Sequence, residues 1–149
     1  MHDVTRSRHG LCVLVLFSAL LPGAWAQGDG ALGAQLFDGR QGLSAELAGR
    51  DLALPVAASR CSNCHRRDGP VTGAPAAPAF GPPLTAASLR SRQPRRGGPA
   101  SSYDGASFSR LLRTGIDPAF VMIDQQMPRY TTTDAQCAAL WVYLGGSGS

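Results

Sequence analysis

Apolar residues recur along this chain with two periods, and each period marks a kind of element. Towards the C-terminus the period is helical. Asp104 stands ahead of Phe108, Leu111 and Leu112, with Gly115 behind them, so the pattern predicts a helix capped by Asp104 and stopped by Gly115. Thr133 and Gln136 precede Cys137, Leu140, Trp141 and Leu144. The first pair has the form of a capping box, and the i, i+3, i+4, i+7 stripe predicts a buried helix face. Nearer the N-terminus GAQLF, Gly33 to Phe37, is helix-like. The stretch LPVAASR before Cys61 predicts a helix entered at Pro55, because proline suits a first helical position. Between these two the period drops to two. LSAEL and DLAL alternate around Ala48-Gly49-Arg50, which predicts a small β-hairpin over about 42–54.

The first apolar run is of another kind. Arg6, Arg8 and His9 precede Leu11 to Leu21, and Ala24-Trp25-Ala26 follows. A basic start, an apolar run and a small-x-small site come in the order of a secretory signal peptide. The run is too short to cross a hydrocarbon core of roughly 30 Å. Residues 1–26 are therefore expected to be a cleaved signal peptide, taking Cys12 with them, and 27–149 to form one small domain. No later run reaches membrane-spanning length, so no membrane span is expected after cleavage. Export points to the bacterial periplasm or the outside of the cell, where paired thiols are normally oxidised or ligated, and the periplasm is the expected location.

Composition narrows the partners. The 14 basic residues are all arginine, against 10 acidic ones, for a net charge of +4. So mild an excess carries no nucleic-acid footprint. With 18 glycines and 11 prolines among 149 residues, the chain is rich in loops. Its own apolar core is limited, and a buried cofactor would add to stability.

The chemistry gathers at CSNCH, Cys61 to His65. This spacing suits a zinc half-site, a redox dithiol or a haem attachment point. A structural zinc site takes four ligands, usually from two separated pairs. Here there is one pair, and His65 is the only histidine after residue 26. Cys64 and His65 are chain neighbours and poorly disposed to share one ion. A thioredoxin-like dithiol follows a buried strand in a βαβ unit, and no run of Val and Ile precedes Cys61. Cys-x-x-Cys-His is the attachment signature of c-type haem, and that reading uses every residue. Cys61 and Cys64 would form the thioethers to one haem, and His65 would bind its iron.

With one histidine spent, methionine is the natural second axial donor. Met127 opens MPRYTTTDAQCAALWVYL, and Pro128 prevents a regular helix there, as a loop across a haem face would require. Met122 lies in the more apolar AFVMI and reads as core packing. A coordinating imidazole needs its other ring nitrogen held by an acceptor. The Pro82 carbonyl in FGPPLT is the candidate acceptor, and the alternative for that stretch is a plain Pro-rich turn. In LRSRQPRRGGPASSY one of Arg90, Arg92, Arg95 and Arg96, together with Tyr103, would hydrogen-bond a haem propionate. The alternative is a solvated charged loop, with the other arginines steering an acidic redox partner. Cys137 reads as a small core hydrophobe.

Taken in order, CSNCH, then Gly81-Pro82-Pro83-Leu84, then Met127-Pro128, then a final helix with Leu140, Tyr143 and Leu144 resemble the motifs of the class I c-type cytochromes. The resemblance spans most of 27–149. It implies an all-α fold, with helices wrapped around one covalent haem, long loops and the hairpin as an insertion. It implies Cys61 and Cys64 as attachment sites, His65 and Met127 as axial ligands, and Pro82 as the orienter of His65. It further implies a periplasmic electron carrier without catalysis, serving partner proteins such as a dehydrogenase or a terminal oxidase. Two departures stand out. More than twenty residues separate GAQLF from Cys61, where the family has few, and no family role carries over to that insertion over 38–59. The loop from Leu89 to Tyr103 is also long. Two other functions stay open: a haem protein with an open sixth position, acting as a ligand sensor or peroxidase-like, and a dedicated cytochrome subunit of a periplasmic dehydrogenase.

Overall fold

The computed structural model describes residues 29–50, 52–67 and 81–145. The expected signal peptide over 1–26, with Cys12, lies outside them. Helix α1, Gly30–Phe37, begins where the Asp29 side chain accepts a hydrogen bond from the Ala31 N–H at 2.8 Å. Helix α2, Ala86–Arg90, is a short helix capped reciprocally by Thr85 and Ser88. Helix α3, Gly105–Thr114, has the Asp104 cap read from the sequence, with the Asp104 N–H donating in return to the Ser107 hydroxyl oxygen. It stops at Gly115, whose φ of +73° is the left-handed conformation that glycine adopts at little cost. Helix α4, Asp134–Tyr143, starts at the capping box of Thr133 and Gln136.

The core lies where α4 meets α1 and α3. Leu36 and Phe37 of α1, Phe108 and Leu112 of α3, and Cys137, Ala139, Leu140 and Trp141 of α4 are all buried. The α1–α4 crossing is close because Gly33 has no side chain. A Cβ there would run into the Ala139 carbonyl. Further along, the Phe37 and Tyr143 rings meet at 5.6 Å, and Phe108 meets Trp141 at 5.5 Å.

The expectation of an all-α fold is overturned by a sheet. The hairpin is present as β1, Ser44–Leu47, and β2, Leu52–Ala53. On its other side β1 pairs with β3, Arg129–Thr131, giving a three-stranded antiparallel sheet in the order β2-β1-β3. Among the described residues the architecture is therefore mixed, four α-helices with one sheet. Ala45 stands opposite Tyr130 in register, and both are buried. That pair, with Leu43, joins the sheet to the helical core. The segment read as an insertion is thus part of the structure that carries Met127. A strand of three residues is too short to show a period of its own, and β3 forms because β1 is there to receive it.

The helix expected from Pro55 is absent as well. The Ala58 and Ser59 N–H groups close a single turn onto the Pro55 carbonyl, at 2.8 and 3.1 Å. The buried Ser59 hydroxyl then reaches the Leu43 carbonyl at 3.3 Å, which ties the turn to the chain entering β1. Only a 3₁₀ turn, Cys61–Asn63, follows.

Candidate functional site

The site is built on that 3₁₀ turn. The Cys64 and His65 N–H groups both donate to the Cys61 carbonyl, at 3.2 and 2.9 Å, which folds the two cysteines into one tight turn. The Asn63 side chain ties the turn back to the Ala57 carbonyl at 2.8 Å. Cys61 and Cys64 are unbridged thiols, each half-buried. Burial pushes the Cys61 thiol up to about 11, against the opposing influence of the Tyr130 hydroxyl beside it.

His65 is held by the segment that begins at Gly81. Its Nδ1–H donates to the Pro82 carbonyl oxygen at 2.8 Å. Two backbone hydrogen bonds flank this contact, Gly81 N–H to the Cys64 carbonyl at 2.9 Å and Leu84 N–H to the Arg66 carbonyl at 2.6 Å. The imidazole lies directly on Gly81, where a Cβ would collide with the ring. Gly81 and Pro82 therefore do separate things. The glycine lets the ring approach, and the proline offers a carbonyl on a stiff backbone. Burial lowers the His65 pKa below its usual value, with the Pro82 bond opposing. The neutral form is favoured, with its proton on Nδ1, and Nε2 makes no hydrogen bond among the described residues.

Met127 is half-buried and packs against the same core as Cys61, Leu84 and Tyr103. Met122, read as core packing, is instead 63% exposed, paired across an isolated bridge with Ile116. Its apolar neighbours in sequence misled, because Asp117 turns the chain there. Asp117 is fully buried, and its Oδ1 accepts from the Ala119 and Val121 N–H groups, both at 2.9 Å. The resulting tight hairpin carries Met122 outward.

Tyr103 is half-buried against the core, with the Arg95 guanidinium 5.0 Å above its ring and Arg96 beside its hydroxyl. Burial raises its phenol pKa, and Arg96 works against that rise. The four arginines of this loop divide by environment. Arg95 donates to the Ser88 and Leu89 carbonyls, at 2.6 and 3.3 Å, and braces the end of α2. Arg96 faces the buried Asp117 carboxylate at 3.6 Å. Arg90 reaches the Gly145 carbonyl at 3.4 Å, and Arg92 is exposed. Arg96 is thus the arginine beside the Tyr103 hydroxyl, while Arg95 lies over the Tyr103 ring.

Three residues of the site were not singled out from the sequence. The Tyr130 hydroxyl donates to the Ser59 carbonyl at 2.8 Å and lies against Cys61, so β3 braces the cysteine turn. Arg129 is only 8% exposed and donates from Nη1 to the Met127 carbonyl at 2.6 Å. Gly81 was noted as part of a motif, but not as the seat of the imidazole. The one signal available for the first two was their place directly after Met127-Pro128.

The residues present fit a c-type haem in two respects. A neutral imidazole is oriented through Nδ1, leaving Nε2 without a hydrogen bond among the described residues, and two unbridged thiols share the adjoining turn. Among the described residues no three His, Cys, Asp or Glu side chains gather as a metal-binding group. Haem iron does not require such a group, since the porphyrin supplies four of its ligands. No described helix is long and apolar enough to cross a membrane. Compared with protein-family models, curated proteins and solved structures, the chain gives no match.

Proposed function

We propose that this protein is a periplasmic electron carrier holding one covalent c-type haem. Cys61 and Cys64 attach it, and His65 and Met127 are its axial ligands. The observation that carries the reading is the His65 imidazole, seated on Gly81 and bonded through Nδ1 to the Pro82 carbonyl. An imidazole so held has its tautomer and orientation fixed in advance, as metal-binding histidines require. Bound there, the haem supplies a one-electron iron couple, with a potential raised by histidine–methionine ligation and burial.

The chain's own part is to hold and to shield. The Cys61–Asn63 turn keeps both thiols on one short segment. Pro82 keeps the proton on Nδ1, which leaves Nε2 as the donor atom. Tyr103 and Arg96 offer a phenol and a guanidinium at one place, a pair suited to a propionate carboxylate. Arg92, exposed on the same loop, would speed encounter with an acidic partner, such as a dehydrogenase or a terminal oxidase.

The test is spectroscopic. The 27–149 domain is expressed with a c-type haem maturation system, as wild type, Met127→Ala and Met122→Ala. The oxidised wild type is expected to have the sulfur-to-iron charge-transfer band, Met127→Ala to lack it and Met122→Ala to keep it. A high-spin wild type that lacks the band and binds carbon monoxide or cyanide rapidly would overturn Met127 as ligand and favour an open site. Failure to attach haem at all would overturn the proposal.

A further inference from the structure

Arg129 is an uncommon residue to find inside a small protein. Burying a guanidinium is costly unless it is paired or well hydrogen-bonded. At 8% exposure it has no ion pair among the described residues. Among the described residues its Nη2 is buried without a hydrogen-bond partner. Yet the fold makes room for it. The guanidinium lies on Gly115, where any Cβ would collide with it, and Gly115 is held in the left-handed conformation that ends α3. The Gly115 carbonyl is occupied by the Ile123 N–H at 2.8 Å, so the seat is fixed from both sides. The hydrogen bond this arrangement secures is Nη1–H to the Met127 carbonyl, at 2.6 Å.

That contact matters for one reason. A methionine side chain has three rotatable bonds and takes its position from its backbone. Pro128 fixes one side of the Met127 peptide, and among the described residues the Met127 N–H has only a long hydrogen bond to the Asp124 carbonyl, at 3.3 Å. The carbonyl is held by the short, charge-assisted bond from Arg129. We infer that Arg129 is a positioning residue for Met127, bracing its backbone so that the sulfur stays at the iron. The inference rests on the proposed ligation of Met127.

The experiment compares haem-loaded wild type, Arg129→Gln and Arg129→Lys in two ways. First, added imidazole competes with methionine for iron, followed by loss of the charge-transfer band at fixed pH. Imidazole is a neutral ligand, so removing a positive charge does not itself attract or repel it. Arg129→Gln should be displaced at about ten-fold lower imidazole, the loss expected for one hydrogen bond from a charged donor. Arg129→Lys keeps the charge and one donor, and should fall between the two. Second, the NMR spectrum of wild type should contain a slowly exchanging Arg129 Nη–H resonance close to the Met127 backbone. Displacement in Arg129→Gln within two-fold of wild type overturns the inference, whatever its melting temperature. If neither variant folds, absence of the protected resonance in wild type overturns it instead. A wild type without the charge-transfer band, unchanged by Met127→Ala, marks failure of the ligation reading, and the inference falls with it.

Discussion

The seat of His65 turns on one missing methyl group. Gly81→Ala would place a Cβ inside the imidazole ring's present volume. The ring would have to leave the Pro82 carbonyl, or the 81–84 segment would have to leave Cys64 and Arg66. Overpacking of this kind costs about 1–3 kcal/mol, expected as a lower denaturant midpoint with loss of the slowly exchanging His65 Nδ1–H. A midpoint equal to wild type would sink the close-approach account. Pro82 was legible in the sequence because a proline carbonyl has no N–H beside it to compete. The need for Gly81 was not legible, since it arises from a contact between residues sixteen apart. The same holds for Arg129, whose burial depends on space left by Gly115. An arginine in a string of letters looks solvated, and only the fold reveals the cavity that receives it.

At the scale of elements, sequence was a good guide wherever local chemistry decides. The caps of α3 and α4 are local hydrogen bonds between residues three apart, and both stand where the side-chain pattern put them. Asp104 offers a test with a definite sign. Its carboxyl is held below the usual range mainly by the Ser107 hydroxyl and N–H. A depressed carboxyl stabilises the fold above its unfolded pKa of about 4, and that contribution is lost as pH falls through the folded value. Asp104→Ala should therefore cost about 1 kcal/mol at neutral pH, with the gap to wild type closing under acid conditions. An equal gap at pH 7 and at pH 2 would deny the cap its charge. The strands were less legible. β1 and β2 alternate enough to be seen, whereas β3 has three residues and gains its partner from a segment more than eighty residues earlier. The turn after Pro55 was misread for a related reason. Its helical promise is cut off by the tie from Ser59 to Leu43, a contact that no window around Pro55 contains.

Across the whole molecule, the α1–α4 crossing joins the two ends of the described chain. Helix propensity alone favours alanine over glycine at Gly33, by about 1 kcal/mol. The Ala139 carbonyl argues the other way, because it occupies the place a Cβ would need. Gly33→Ala should therefore destabilise by about 1–3 kcal/mol despite its better propensity, measured by thermal or chemical unfolding. A stabilised variant would mean that the helices can part without cost. The all-α expectation failed at this same scale. Motifs spaced along a chain single out candidate site residues, but they leave open what the intervening residues build. Here those residues build a sheet.

That sheet has a mechanical consequence. The Tyr130 hydroxyl is bonded to the Ser59 carbonyl, two residues ahead of Cys61, and Tyr130 itself stands three residues after Met127. One phenol thus spans the turn that carries His65 and the strand that follows Met127. If the first segment shifts, the second is drawn with it. A centre that gains and loses electrons works fastest when its nuclei hardly move between oxidation states. Coupling the segments that bear the two proposed axial ligands through one rigid ring limits their relative motion, so the low reorganisation energy of the proposed carrier would be written into the backbone before any cofactor arrives.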